Sequence, residues 1–357
     1  IEMLSQIFIM PEHIYKDVTD FEHNDYNMNS VGTGPYKLVE YQSGSYLKFE
    51  ANENYYKGEP SVKNIVFQII ENADTAILAL QNGEVDAYQM TPQQVKKLDL
   101  DASNLTAYSY TEGRVGYLQI NCNRVTDENV RKALLFAMDR KAMDDAAFES
   151  DEYYSIPYTF LPTNSQFYTE DGVEKYEQDV DKAKSMLEEA GVSGLKLKLG
   201  YISSDAVQSA QALLIQEQLK EVGVTVELAG GDGTAIANAM KDPDNEYDMY
   251  LGGYIMGIDP DTFSSLFEND GAYNYMHYSG YDTINQLFEE GRSELDESAR
   301  KETYAKLQAA VQDTGAFYPI ISNNKILVVN NRIQGVEDAG LVPVYTFEDT
   351  SSLKIAE

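Results

Sequence analysis

The sequence predicts an α/β fold in two lobes, in which mixed sheets are flanked by helices. Residues 195–260 have the pattern of a strand–helix–strand unit followed by a third strand. Residues 31–50 have the pattern of a β-hairpin, so antiparallel pairing is expected in the same chain. The length of 357 residues exceeds the size at which one hydrophobic core usually suffices, which predicts the two lobes.

The strand–helix–strand unit is the clearest pattern. Apolar residues alternate with others over 195–201, which is typical of a strand, and residues 205–222 have the 3.6-residue period of a helix that ends before Gly223. Alternation returns over 224–228. Because two strands joined through a long helix cannot be hairpin neighbours, we expect them to be parallel with a right-handed crossover.

A candidate ligand site follows this unit. After a short helix at 234–240, residues 247–254 form a predicted strand that ends in two glycines and a tyrosine. Ligands of open α/β sheets bind outside the carboxyl ends of the strands. We therefore expect ligand contacts from Gly252, Gly253, Tyr254, Ile255 and Met256. The alternative is that the glycines only form a turn and that Tyr254 is a half-buried core ring.

The composition excludes several classes of partner. Lys and Arg number 27 against 59 Asp and Glu, and the net charge of −32 repels nucleic acids and anionic membranes. The single cysteine, Cys122, permits no internal disulfide and no cysteine metal cluster. No apolar run is long enough to span a membrane. The first ten residues lack a signal-peptide pattern, so Ile1 is expected to be a fragment boundary within a domain.

The remaining elements are predicted from the same periodicities and from turn residues. The helices are expected at 73–82, from 91 onwards, after Asp127, and at 179–190, 281–290 and 296–311; the further strands are expected at 62–70, 85–88, 108–121 and 319–329.

Three separated motifs carry a resemblance to a known family. They are GTGPYKL at 32–38 with ALQNGEVD at 79–86, LQIN at 118–121 with VRKALLFAMDR at 130–140, and YDMYLGGY at 247–254 with DPDTF at 259–263. In this order and spacing the chain resembles the oligopeptide/dipeptide-type extracellular solute-binding proteins of bacterial ABC transporters, solute-binding protein family 5. Family members begin with further strands and an extra subdomain, so the chain resembles their C-terminal two-thirds.

The resemblance implies a two-lobed fold like that of the type II periplasmic binding proteins, in the large peptide-binding class. It implies that residues 1–140 and 326–357 form the first lobe and that residues 141–325 form the second. Asn121, at the end of its strand, resembles the family's polar groove residue, although it can instead satisfy a strand-end backbone group. Tyr88 is a weaker candidate from the first lobe.

The chain departs from the family in the ligand loop. In peptide-binding relatives an aspartate shortly after the aromatic residue of this loop anchors the α-amino group of the ligand. Here four apolar residues follow Tyr254, and the nearest acid, Asp259, belongs to the Asp-Pro-Asp turn. Either another acid substitutes for the anchor or the ligand is not an ordinary peptide.

No constellation of residues indicates an enzyme. The chain lacks a Gly-x-Ser-x-Gly elbow, and Gly32 and Gly34 lack the third glycine of a dinucleotide-binding loop. The three histidines are too scattered to predict a metal site, and the acidic turn at 242–248 lacks the glycine and final glutamate of a calcium loop. We therefore predict no catalytic residue, metal or cofactor. A hydrolase is the least favoured alternative, because every enzyme motif is absent; the number of carboxylates decides nothing, since 59 acids guarantee chance pairs.

The function expected from the resemblance is that of the extracytoplasmic solute-binding component of an ABC importer. The expected ligand is a peptide or peptide-like molecule held between two lobes that close about a hinge, and the expected partner is the ABC permease in the membrane. A monomer in the periplasm, or one anchored as a cell-surface lipoprotein, fits this role. An alternative ligand is an oligosaccharide, because 27 tyrosines offer ring faces for stacking.

Overall fold

The computed structural model describes residues 9–21, 23–29, 31–148, 151–255, 259–343 and 345–356. The chain divides into two compact units, one formed by Ile1–Tyr110 with Lys325–Glu357 and the other by Thr111–Asn324. The second boundary lies one residue from the expected position. Residues 111–140, by contrast, were expected in the first lobe and belong to the second unit, because their strand and helix pair and pack within it.

The first unit begins with two helical turns and a small sheet. Its elements are α1 (Glu12–Tyr15), β1 (Tyr36–Gln42), β2 (Tyr46–Ala51), β3 (Asn64–Gln68), α2 (Ala73–Gln81), β4 (Ala87–Met90), α3 (Pro92–Val95), β5 (Leu105–Thr111), and, after the second unit, β12 (Ile333–Gln334), β13 (Leu341–Val342), β14 (Thr346–Phe347) and β15 (Lys354–Ile355). Strands β1, β2 and β3 form an antiparallel sheet, which confirms the predicted hairpin.

The second unit contains the larger sheet and most of the helices. Its elements are β6 (Arg114–Ile120), α4 (Glu128–Phe136), α5 (Arg140–Phe148), β7 (Tyr154–Ser155), α6 (Val180–Glu189), β8 (Lys196–Ile202), α7 (Ala206–Glu221), β9 (Thr225–Gly231), α8 (Gly233–Met240), β10 (Met249–Ile255), α9 (Ser264–Phe267), α10 (Tyr281–Ser293), α11 (Glu297–Asp313) and β11 (Phe317–Asn330), whose last residues lie in the first unit.

The sheet of the second unit is mixed. Its strand order is β11–β6–β10–β8–β9, in which β10, β8 and β9 are parallel and β6 is antiparallel to both β10 and β11. Helices cover both faces. On one face Leu118 and Leu251 pack with Leu134 and Ile215, and on the other Tyr117 packs among aromatic and aliphatic residues of α9–α11. The predicted α/β class, with mixed sheets flanked by helices, is confirmed.

The strand–helix–strand unit forms as its periodicity predicts. Asp205 caps α7 by accepting hydrogen bonds from the backbone N–H groups of Val207 and Gln208. Gly223 follows the helix with φ of +80°, a conformation that favours glycine, and the chain then enters β9 parallel to β8. This arrangement places the carboxyl ends of the two strands at the same edge.

Candidate ligand site

The carboxyl ends of three parallel strands define the candidate site in the second unit. Strand β8 ends at Ile202 beside Gly231 of β9, and β10 ends at Ile255. Because β6 is antiparallel to β10, its first residue, Arg114, pairs with Ile255 at this same edge. We call this part of the strand pair, residues 114–117 with 252–255, the Arg114 end.

Gly252 makes room for two tyrosine rings on one face of the sheet. A Cβ atom at this position would lie 2.7 Å from the Tyr117 ring and 3.0 Å from the Tyr250 ring. Burial raises the pKa of both hydroxyl groups, and among the described residues neither hydroxyl has a hydrogen-bond partner. The first glycine therefore has a packing role that only a residue without a side chain can fill.

Gly253 makes room for an arginine on the opposite face. A Cβ atom at this position would lie 1.9 Å from Nη2 of Arg114 and 2.2 Å from its Cζ. The guanidinium also lies near Gly116, the residue that pairs with Gly253, and Ile321 lies over Gly116. Two paired glycines therefore form a floor beneath the Arg114 side chain.

Tyr254 is partly buried and anchored within its own unit. Its hydroxyl lies 2.9 Å from Oγ of Ser265 and 3.2 Å from the carbonyl oxygen of Thr262, to which it donates. Its ring packs against Phe263, at 5.6 Å between ring centroids, and Tyr273, at 5.9 Å. Ile255 is 44% exposed. The next candidate, Met256, lies outside the described residues.

Asn121 lies away from the other candidates in this unit. It follows the last residue of β6, where its backbone N–H donates to the carbonyl oxygen of Asp248. It is five residues from Gly116, the partner of Gly253, and is thus separated from the glycine pair by about 17 Å. Its Oδ1 accepts from the N–H of Asn123, as the structural alternative predicts, and its buried Nδ2 has no partner among the described residues.

We call the region around Asn121, residues 119–121 with 248–250, the Asn121 end of the strand pair. Tyr88, the remaining candidate, is partly buried in β4 of the first unit, where it pairs with Val328.

The two acids nearest the ligand loop already have cationic partners. Both carboxylate oxygens of Asp259 lie 2.7 Å from Nη2 of Arg300, and Asp259 also accepts from the N–H of Asp261. Asp261 lies 2.6 Å from Nε of Arg292. Burial raises the pKa of Asp261 although Arg292 opposes the shift. Because both carboxylates form ion pairs inside the protein, neither is free to act as the amino anchor that the family resemblance led us to expect.

Other features of the described residues do not coincide with this site. A cavity of about 290 Å³ lies where α6 and α7 end, lined among others by Leu187, Val192 and Val224, and includes none of the predicted site residues. In the described parts of the chain, no group of three His, Cys, Asp or Glu side chains is placed to hold a metal ion. Burial raises the pKa of the Cys122 thiol to about 11.

Sequence reasoning missed Arg114, Tyr117 and Tyr250. The only available signal was the position of Arg114 at the start of a strand, and this becomes informative only when β6 is known to be antiparallel to β10. The same antiparallel direction explains why Asn121, at the end of β6, lies far from the glycine pair.

Comparisons with known proteins show where the chain belongs. The family model for bacterial extracellular solute-binding proteins, family 5 Middle, matches residues 1–275. The oligopeptide-binding protein AppA of Bacillus subtilis is 27% identical over 356 residues, covering 92% of this chain and 64% of AppA. The dipeptide-binding protein of Escherichia coli is 25% identical over 320 residues, covering 87% of this chain and 59% of that protein. The chain thus spans somewhat less than two-thirds of these relatives.

A solved structure agrees with the sequence comparisons. The ABC transporter substrate-binding protein CtaP of Listeria monocytogenes is 37% identical and superposes with a TM-score of 0.93. The match covers 99% of this chain and 73% of CtaP. The family resemblance inferred from the three motifs is therefore confirmed, as is the fold like that of the periplasmic binding proteins. The chain belongs to the bacterial extracellular solute-binding proteins of family 5.

Proposed function

We propose that this chain is part of the solute-binding component of an ABC importer and that it binds a peptide or peptide-like ligand. The observation that carries the proposal is the match to CtaP, an ABC transporter substrate-binding protein, over 99% of this chain. The names of the two curated relatives, an oligopeptide-binding and a dipeptide-binding protein, support a peptide as the ligand. Catalysis has no part in this function.

The proposed ligand contacts are the backbone of Gly252 and Gly253 with the side chains of Tyr254 and Ile255. Their position at the carboxyl ends of parallel strands supports this assignment. Met256, Asn121 and Tyr88 are proposed as further contacts. The buried Nδ2 of Asn121, which has no partner among the described residues, supports its inclusion, since an unpaired buried donor is costly.

The proposal includes the steps that surround binding. Ligand binding shifts the protein toward a closed form, and an ABC permease in the membrane recognises that form. The protein acts as a monomer outside the cytoplasm, in the periplasm or as a lipoprotein on the cell surface. It has no nucleic-acid partner, which its net charge of −32 supports. No helix in the described part of the chain is long and apolar enough to cross a bilayer.

Peptide binding can be tested with synthetic peptide pools of two to nine residues, measured by native mass spectrometry and thermal shift. We expect at least one length class to be retained and to raise the melting temperature, because a ligand at a hundred times its Kd adds about 2.7 kcal/mol to the free energy of unfolding. If no pool is retained while malto-oligosaccharides or nickel–histidine complexes stabilise the protein, the peptide assignment is wrong.

A variant pair connects the test to the site. Tyr254→Ala should weaken retention of the peptide pool, whereas Tyr41→Ala should leave it unchanged, because Tyr41 is an exposed tyrosine of β1 in the first unit. Equal retention by both variants would remove Tyr254 from the proposed contacts.

A further inference from the structure

Arg114 differs from every other arginine of the chain in its partners. The sequence has seven arginines, and all seven are among the described residues. Six donate to carboxylates or backbone carbonyls: Arg124, Arg131, Arg140, Arg292, Arg300 and Arg332. Among the described residues Arg114 has no hydrogen bond, no ion pair and no aromatic ring beneath it. Because the chain has 59 acidic residues, the lack of a partner for Arg114 does not reflect a shortage of carboxylates and is specific to its position.

The surroundings of Arg114 hold the guanidinium in place without satisfying it. The side chain is partly buried and crosses the position that a Cβ of Gly253 would occupy, beside Gly116 and near Ile321. Glycine and isoleucine side chains offer no acceptor. The floor formed by the two paired glycines therefore orients the cation sterically and leaves its N–H donors without acceptors from these side chains.

An unpaired arginine at this depth has an energetic consequence. A guanidinium remains charged at any physiological pH, so it cannot relieve its desolvation by losing a proton. None of its nitrogens is among the fully buried polar atoms without a partner, so water still reaches the group, and an anion that binds there gains a charge-assisted hydrogen bond at a partly dehydrated position. The long-range field of a strongly acidic protein repels anions in general, so the anion best suited to this position is one brought by a ligand held through other contacts.

The acids near the ligand loop point to the same chemistry. Asp259 and Asp261, the nearest acids after Tyr254, form ion pairs with Arg300 and Arg292. These two acids are thus paired within the protein. Of Asp259, Asp261 and Arg114, only the cation has no partner among the described residues.

We propose that Arg114 binds a carboxylate group of the ligand through paired N–H donors, at the floor formed by Gly116 and Gly253. The inference rests on the proposed function, because a peptide supplies this carboxylate at its C-terminus or in an acidic side chain. The guanidinium fork matches a carboxylate geometrically, and a charge-assisted pair of this kind is stronger than a neutral hydrogen bond. The ligand is oriented by its carboxylate at this edge.

Three random pentapeptide pools separate the sources of the carboxylate. The first has a free C-terminus and no acidic side chains, the second is the same pool amidated, and the third is amidated with one glutamate. Retention on the purified protein is measured by mass spectrometry. We expect the wild type to retain the first or the third pool about ten- to a hundredfold better than the second, and Arg114→Gln to abolish the difference. Arg114→Lys should retain part of this difference, because lysine keeps the positive charge but lacks the paired N–H donors of the guanidinium.

A second variant moves the cation without removing it. Gly253→Ala places a methyl group where the guanidinium lies, so it should reduce carboxylate discrimination although the net charge is unchanged. Lys220→Gln, which removes an exposed cation in the last turn of α7, is the charge-matched control and should retain full discrimination. The melting temperature of Arg114→Gln should equal or exceed that of the wild type, which distinguishes a ligand contact from a structural residue.

Each outcome decides one of the two proposals. If the wild type binds peptides but retains all three pools equally, or if Arg114→Gln retains the discrimination, the role of Arg114 is refuted and peptide binding stands. If the wild type retains no pool, both proposals fail.

Discussion

The two ends of the β6–β10 strand pair have the same regular backbone but differ in how their charged side chains are paired. At the Asn121 end, the carboxylate of Asp248 accepts hydrogen bonds from Nε of Arg124, at 2.6 Å, and from the backbone N–H of Lys198, at 2.7 Å. The adjacent Arg131 is 2% exposed and donates to carbonyl oxygens before α4 and after α11. At the Arg114 end, the guanidinium has no acceptor among the described residues and rests on glycines.

Charge pairing, and not strand geometry, separates the structural end from the proposed binding end. Both ends are equally regular in their pairing, since the register of β10 against β6 runs unbroken from Met249 to Ile255. Satisfied charges fix one end internally. At the other end, the proposed partner of the guanidinium is a carboxylate of the ligand.

The first prediction compares the loss of stability when each of two arginines is replaced. Arg131→Gln should lower the free energy of unfolding by about 3–5 kcal/mol, because it leaves the carbonyl oxygens of Val125, Thr126 and Thr314 without their donor. Arg114→Gln should change it by no more than about 0.5 kcal/mol. Urea denaturation measures both values. If both variants lose the same free energy of unfolding, the proposed difference between the two ends is wrong.

The second prediction concerns an ionisable group that is unpaired in the core. Asp144 is buried, its Oδ2 has no partner among the described residues, and burial raises its pKa to about 9. The folded state therefore holds this proton more tightly than the unfolded state does. Its contribution to stability is complete below the unfolded pKa near 4 and is lost as pH rises toward 9.

Asp144→Asn tests whether this buried carboxyl group is protonated in the folded protein. The variant should remove a fall in the free energy of unfolding of about 1 kcal/mol per pH unit between pH 5 and pH 8. Urea midpoints at several pH values measure it. A variant that keeps the slope of the wild type would show that Asp144 is ionised in the folded protein.

A third prediction concerns the carboxylate at the Asn121 end. Asp248→Ala should cost about 2 kcal/mol, because it removes the acceptor for the N–H of Lys198 and the partner of Arg124. Asp244→Ala, an exposed residue of the neighbouring turn, is the control and should cost less than about 0.5 kcal/mol. Thermal unfolding at equal salt measures both, and a loss as small as that of the control would contradict the structural role of Asp248.

The smallest effect separates the two adjacent glycines. Neither has a positive φ, so alanine introduces no backbone strain at either position. Gly252→Ala should cost about 1–2 kcal/mol, because the Tyr117 and Tyr250 rings must move. At Gly253 the three atoms nearest to an added Cβ all belong to the flexible end of Arg114, so Gly253→Ala should cost less than about 0.5 kcal/mol. Denaturation curves that rank the two in the opposite order would contradict the assigned neighbours.

The elements of the fold could be predicted where periodicity decides them. The parallel strands β8 and β9 with α7 between them follow from alternation, a 3.6-residue period and Gly223, since a local pattern specifies each. The motifs that identified the family lie in or beside other elements, among them β1, α4 and β10, and they predicted the family independently of this unit.

The arrangement of the site could not be predicted, because it depends on strand direction across the sheet. Nothing local shows that β6 is antiparallel to β10, and this direction places Arg114 beside Ile255 and Asn121 at the far end. The compact unit to which residues 111–140 belong likewise depends on the pairing of β6. The glycines were predicted as backbone contacts for a ligand, and their close approach to Tyr117 and Arg114 becomes visible only in three dimensions.

The state of Cys122 has a practical consequence for future spectroscopy. It is the only thiol in the sequence, and with a pKa of about 11 it carries almost no thiolate at neutral pH. Maleimide dyes react through the thiolate, so a cysteine introduced at the exposed Ile255 would be modified far faster than the native one. A single fluorophore installed there would test whether a ligand reaches the carboxyl end of β10, and no cysteine-free background would be needed.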